Sequence, residues 1–345
     1  MSTPVVEGVD VDRVTDWFIA HAGEVTPPLR FDLIAGGRSN LTFRVTDAAD
    51  RAWVLRRPPL GHVLATAHDM GREHRIISAL GPTDVPVPPT IGLCRDDSVN
   101  GASFYVMGFV DGHVVRDVAE AKRFTSDQRR RTGYSIVDTL ARIHAVDIDA
   151  VGLTDLGRKE GYIARQLKRW YGQWEQSKTR DLPDVDLAHE RLSATIPNQG
   201  PATIVHGDYR LDNCMVDDDG QVIAVLDWEI CTLGDPLADV GLLMVYWSQS
   251  DDDHAALPGG ATSLDGYPVR SELLERYAQV SGRDVSTIDF YMAFGYWKLA
   301  CILEGVYARY VGGAMGQAAT GYEFFAEQVR LLAEAARTAT DRMQE

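Results

Sequence analysis

Lysine is missing from the first third of this chain: of 345 residues, the first lysine is Lys122. Positive charge is scarce overall, with 34 Lys and Arg against 50 Asp and Glu, a formal net charge of −16. That balance argues against a general nucleic-acid or anionic-membrane surface and leaves open only a local basic pocket. Cysteine is sparse too. Cys94, Cys214, Cys231 and Cys301 form no CxxC pair, and no His/Cys spacing reads as a zinc site. Reduced thiols in a cytoplasmic protein are the expectation. The opening "MSTPVVEGVDVDRVTDWFIAH" is acidic where a signal peptide needs a basic start and an apolar run, so no leader is expected there. No apolar run approaches the roughly 20 residues that span a bilayer. Repeats and low-complexity tracts are absent as well. What is present is an ordinary globular composition, 45% apolar and 24% charged. Its length suits one bilobal unit or two domains.

The apolar period changes once along the chain. Residues 10 to 22 read as a short helix with Val14, Trp17 and Phe18 on one face. "LRFDLIAGGRSNLTFRVTD" reads as strand, glycine turn, strand, and "AWVLRRPP" as a third strand stopped by Pro58 and Pro59. "ATAHDMGREHRIISAL" reads as a helix whose apolar positions are Met70, Ile76, Ile77 and Leu80. "VPVPPTIGLC" and "ASFYVMGFV" add two strands around an acidic turn. A five-stranded sheet with one helix after its third strand is therefore expected. From about residue 115 the period is that of a helix, as in "RRRTGYSIVDTLARIHAVD", "EGYIARQLKRWYGQWEQ" and "IDFYMAFGYWKLACILEGVYARYV". The expected class is α+β, a small antiparallel-sheet lobe (residues 1–110) followed by a larger, mainly helical lobe (111–345), with a glycine-bearing hinge near "MGFVDGH".

The chemistry concentrates in "IVHGDYRLDNCMVDDDGQVIAVLDWEICTLGDPLADVG", residues 204 to 241, where eight Asp and one Glu surround two strand-like runs. Loop, short strand, turn, short strand, carboxylate is an order that can gather Asp208, Asn213 and Asp227 at one end. Such a trio serves phosphoryl transfer. One carboxylate orients and deprotonates the attacking hydroxyl, while an Asn carbonyl and a second carboxylate hold Mg²⁺ against phosphates. Two protein ligands suffice, because Mg²⁺ keeps several waters and takes phosphate oxygens. Asp217, Asp218 and Asp219 precede Gly220 and read as a solvated turn. Asp235 precedes Pro236 and reads as a helix N-cap.

"VHGDYRLDN", "LDWE" and "GDPLADVG" resemble the aminoglycoside phosphotransferase family, whose fold is similar to that of protein kinases. "GRKEGYIARQLKRW" and "FYMAFGYWKLACILEGVYARY" look like the branch related to the kinase-like domains fused to some acyl-CoA dehydrogenases. The resemblance runs from about residue 28 to 335. It implies a bilobal protein-kinase-like fold. It also implies that Asp208 is the catalytic Asp, that Asn213 and Asp227 bind metal, that His206 shapes the loop, and that Asp239 ties the loop to the next helix. In the first lobe it implies a phosphate-covering turn at Gly36, Gly37, Ser39 and Asn40. Glu73 would pair with the phosphate-binding cation, and the segment holding Met107 and Phe109 would have a backbone that reads the adenine edge. The phosphate-binding position in "WVLRR" is Arg56, with Val54 on the same strand face and Leu55 and Arg57 on the other. Arginine can clamp phosphates bidentately but does not interchange with lysine.

The expected activity is that of a small-molecule kinase. It would use Mg²⁺ and ATP, with GTP as the alternative, and phosphorylate a hydroxyl acceptor such as a hydroxyacyl compound. Arg165, Lys168 and Arg169 on one predicted helix could meet an anionic group of that acceptor or simply form a solvated face. An aminoglycoside kinase and a catalytically weak nucleotide-binding regulator are the competing expectations. A protein kinase is disfavoured, since no long activation segment separates Asp227 from Asp235. No nucleic-acid or membrane partner is expected.

Overall fold

The computed structural model describes residues 6–35, 40–60, 69–250, 252, 260–313 and 322–343. The chain divides into two compact units: Met1–Gly112 with Ile223–Glu229, and His113–Val222 with Ile230–Glu345. The segment ending in Asp227 thus packs with the first unit, although it lies far downstream in sequence.

In the first unit, helix α1 (Val11–His21) starts where the Asp10 side chain accepts the Arg13 N–H, and it buries Val14, Trp17 and Phe18. Strands β1 (Arg30–Ala35), β2 (Leu41–Thr46) and β3 (Ala52–Arg57) follow, then helix α2 (Met70–Leu80), β4 (Thr90–Cys94), the single turn α3 (Asp97–Asn100) and β5 (Phe104–Gly108). The five strands pair antiparallel in the order β1-β2-β3-β5-β4. Phe31, Phe43, Trp53, Leu55 and Phe104 form a core with Phe18 of α1, where the Phe18 and Trp53 rings meet edge-on at 5.7 Å. Each such buried side chain contributes about 1.5–3 kcal/mol. Strand alternation sends Arg57 to the carbonyls of Gly8 and Asn100, and Arg56 to the opposite face. Helix α2 buries Met70, Ile76, Ile77 and Leu80 as its spacing requires, but also Glu73, an acid among apolar neighbours.

The second unit begins with β6 (His113–Val114) and α4 (Val118–Ala121). Helix α5 (Ser126–Ala145) opens with a capping box between Thr125 and Gln128. Then come α6 (Tyr162–Ser177), α7 (Pro183–Ala194), β7 (Thr203–Val205), β8 (Cys214–Val216), β9 (Val222–Val225, counted with the first unit from Ile223 on), β10 (Thr232–Gly234), α8 (Leu237–Tyr246), α9 (Arg270–Ser281), α10 (Ile288–Val311) and α11 (Glu323–Arg342). Leu242 and Val245 of α8, Leu299 and Ala300 of α10, and Val329 and Leu332 of α11 share one core. After β8 the chain turns at Asp217–Gly220, where Asp217 Oδ1 accepts the N–H groups of Asp219 and Gln221. Asp218 and Asp219 are exposed, in keeping with a solvated turn. Gly220 has φ +84, and a Cβ there would lie 2.5 Å from the Gln128 carbonyl oxygen, so the turn needs glycine on two counts. Among the described residues no helix is long and apolar enough to cross a membrane. All four cysteines are free and buried.

Candidate active site

The first unit brings three carboxylates to one guanidinium. Arg56 Nη2 donates to Asp227 Oδ1 at 2.6 Å, its Nε lies 3.3 Å from Glu73 Oε2, and Glu229 Oε2 stands 3.8 Å from Nη2. Asn40 Nδ2 donates to Glu229 at 3.2 Å. Burial opposes the charge of Arg56, but Glu73, Tyr105 and Asp227 outweigh it and raise its pKa. Glu73 is 1% exposed, and burial pushes its carboxyl up to about 7; Arg56 opposes the rise, while Asp227 and Glu229 add to it. One cation thus faces three potential anions, a surplus of negative charge that suits a divalent cation. Asp227 itself sits at φ 63, a left-handed backbone that side-chain-bearing residues seldom adopt.

The second unit builds a loop between β7 and β10, which pair antiparallel from Thr203↔Gly234 to Val205↔Thr232. Asp239 of α8 staples it: Oδ2 accepts the His206 N–H at 2.7 Å and Oδ1 the Gly207 N–H at 2.8 Å. Asp239 is 1% exposed, and burial alone would raise its pKa. His144, His206 and the Gly207 N–H overcome that and hold it below the usual carboxylate range. Asp208 follows, with its side chain 30% exposed. Asn213 Nδ2 donates to the Asp208 carbonyl at 2.8 Å and to Asp208 Oδ2 at 3.0 Å, which leaves Asn213 Oδ1 as the ligand atom for a cation. Arg210 Nε lies 3.4 Å from Asp208 Oδ2 and 3.0 Å from Asp212 Oδ1, and its guanidinium covers the Tyr246 ring. Every candidate metal ligand is an oxygen, the donor type that Mg²⁺ takes. Among the described residues no three His, Cys, Asp or Glu side chains form a metal cage by themselves, so a metal here would need phosphate or water ligands too.

A family model described as the phosphotransferase enzyme family, APH, matches residues 30–273. The chain belongs to this family. The chain is 36% identical over 298 residues to acyl-CoA dehydrogenase family member 10 of Mus musculus, a match covering 85% of this chain and 28% of that relative. The chain thus spans under a third of that relative's length. A crystal structure from Ralstonia eutropha JMP134, provisionally named an aminoglycoside phosphotransferase, superposes with TM-score 0.83 at 32% identity, covering 96% of this chain and 98% of the other. Spectinomycin phosphotransferase, in complex with ADP and spectinomycin, shares the fold at TM-score 0.62 and 12% identity over 97% of this chain and 99% of its own. The small sheet with a helical remainder is therefore the kinase-like fold of this family.

The structure brings some of the expected residues together and leaves others apart. Arg56, Glu73 and Asp227 meet in the first unit, and Asp208 touches Asn213 in the second. Gly36, Gly37 and Ser39 lie outside the described residues. Asn40 is buried, its side chain turned to Glu229. Val54 and Met107 are cross-strand partners and both buried. The N–H groups of Gly108 and Phe109 are donated to Pro89 and Ala52 carbonyls, while Phe109 stacks under Arg44. Asp235 is not the N-cap of α8, which is Pro236; it stands one residue earlier, is 3% exposed, and accepts the Leu237 N–H and the Tyr291 Oη proton as a buried anchor. On α6, Lys168 and Arg169 are exposed, whereas Arg165 is half-buried and donates to the Arg158 carbonyl. Four residues escaped the sequence reading: Glu229, Arg210, Asp212 and Lys298. The signal for Lys298 was available, because it is the sole charged residue from Phe290 to Leu303.

Proposed function

We propose that this phosphotransferase is a Mg²⁺-dependent small-molecule kinase that moves the γ-phosphoryl group of ATP, or of GTP, to a hydroxyl acceptor of hydroxyacyl type. The observation that carries the reading is the stapled loop, in which Asp208 stays half-exposed while Asn213 steadies its carboxylate and keeps Oδ1 free. Asp208 accepts the hydroxyl proton or aims the hydroxyl as the phosphoryl group departs. Asn213 and Asp227 are the residues that would offer oxygens to Mg²⁺, and the metal would supply positive charge against the phosphates. Arg56, steadied by Glu73, exchanges part of its contact with Asp227 for phosphate oxygens. Residues 1–110 are assigned to the nucleotide, with Gly36, Gly37, Ser39, Asn40, Val54, Met107 and Phe109 as its candidate binding residues. Residues 111–345 serve catalysis and the acceptor. The cations of α6 favour an acceptor with an anionic group over a polycationic aminoglycoside, and the likeness to a dehydrogenase relative supports an acyl chain. Four free thiols support a cytoplasmic setting.

A second reading has one observation in its favour. Arg56 already occupies an oxygen of Asp227, as it would in a nucleotide-binding regulator with little turnover. An acceptor panel with Mg²⁺ and either nucleotide, read by mass spectrometry of phosphorylated products, separates the readings. Hydroxyacyl compounds should be phosphorylated and kanamycin-like compounds not. Asp208→Ala should lower kcat by roughly 10² to 10⁴ while Mg-ATP affinity stays within a few fold. Tight Mg-ATP binding with no transfer to any alcohol would support the regulator.

A further inference from the structure

Helix α10 is apolar around Lys298, yet this lysine is 6% exposed and its ammonium does not reach for water. Its Nζ donates to the Gly207 carbonyl oxygen at 2.9 Å, one residue before Asp208. Burying an ammonium is costly, so the contact must return something. The peptide linking Gly207 to Asp208 is held on both sides, since its oxygen takes the Lys298 proton and its N–H points at His206 Nδ1 at 3.3 Å. The preceding N–H, that of Gly207, is held by Asp239. Gly207 adopts φ +87, where glycine has backbone freedom that other residues lack, and an added Cβ would come within 3.1 Å of Ile230. A glycine peptide with such freedom rotates readily unless its polar atoms are held.

We propose that Lys298 is a positioning residue for Asp208, fixing the Gly207–Asp208 peptide so that the Asp208 carboxylate keeps its catalytic orientation. The proposal rests on reading Asp208 as the catalytic base. A neutral donor would satisfy the carbonyl, but only a cation also offsets the charges of Asp208 and Asp239, which both favour the ammonium; Arg169 opposes it, and the Trp170 ring lies 5.9 Å away. Burial is the largest influence on Lys298 and brings its pKa below that of a free lysine.

The test uses Lys298→Met, which keeps the length and apolar stem and removes charge and donor, beside Lys298→Arg, which keeps both. Lys298→Met should lower kcat by about 10- to 100-fold, the scale of a misplaced reacting group, with acceptor KM and Mg-ATP Kd within about threefold. The wild-type kcat should fall on an alkaline limb below the ordinary lysine range. That limb should be absent in Lys298→Arg, which should retain more turnover than the Met variant. Crystal structures of wild type and Lys298→Met should differ in the Gly207–Asp208 peptide and the Asp208 carboxylate. An unmoved peptide, or a Met variant within threefold of wild-type kcat, overturns the proposal. If the wild type phosphorylates no acceptor, the kinase reading falls, and the crystal comparison still decides the role of Lys298. If the Met variant does not fold, the persistence of the alkaline limb in Lys298→Arg would count against it.

Discussion

Asp227 combines two demands at a single residue: a left-handed backbone, φ 63, and a carboxylate bound to Arg56. Asparagine tolerates that backbone as aspartate does, so Asp227→Asn should fold while losing the charge. It should weaken Mg-nucleotide binding by about tenfold or more, on the order of 1.4 kcal/mol, and leave metal-free nucleotide binding nearly unchanged. Calorimetry with and without Mg²⁺ checks this, and equal losses would remove Asp227 from the metal site. Glu73 makes a different prediction. Its folded pKa of about 7 exceeds the ordinary 4.5 of a glutamate in an unfolded chain. The unfolded state therefore ionises first, and the stability linked to protonated Glu73 is present at low pH and lost as pH rises through about 7. Glu73→Gln cannot ionise. Between pH 4.5 and 8 its stability relative to wild type should improve by about 1–3 kcal/mol, one pKa unit being worth about 1.4. Urea unfolding at both pH values in Mg-free buffer measures the difference; a flat or opposite trend would show that Arg56 fully compensates the acid. The contact of Asp208 with Asn213 was legible because their spacing is a local property of the chain. The meeting of Arg56 with Glu229 was not, for nothing near either residue announces the other.

At the scale of elements, periodicity predicts what is buried on one side. Helix α1 buries Val14, Trp17 and Phe18, as their spacing demands, and β3 divides Arg56 from Arg57 by alternation. Short elements escape the same reasoning. Strand β10 has three residues, too few to show a period, and exists because β7 pairs with it. Helix α7 begins at Pro183 and buries only Val185, Ala188 and Leu192 within a largely polar segment. The turn from β8 to β9 illustrates how packing tightens a local rule. Its "DDDG" composition predicts a turn, but the closeness of Gly220 to the Gln128 carbonyl comes from α5. Gly220→Ala should therefore cost more than the roughly 1 kcal/mol of a positive-φ strain alone, about 2–4 kcal/mol in chemical denaturation. A cost below about 1 kcal/mol would mean that α5 yields easily.

At the scale of the whole chain, a net charge of −16 makes a polyanion an unfavourable partner. A labelled DNA duplex at 150 mM salt should show no anisotropy change up to about 10 µM protein, within the range where basic proteins bind non-specifically. Saturable binding would reveal a basic surface that the composition conceals. The amino-acid sequence by itself determined the order of the five first-lobe strands and the long helices, the faces they bury, and the spacing of Asp208 and Asn213, since each depends on residues a few positions apart. Only the tertiary structure decided that Ile223–Glu229 joins the first unit, that three carboxylates share Arg56, and that Lys298 lies against the Gly207 carbonyl. Those contacts join residues distant along the chain, and a charge buried among apolar residues acquires its meaning from the partner that folding brings to it.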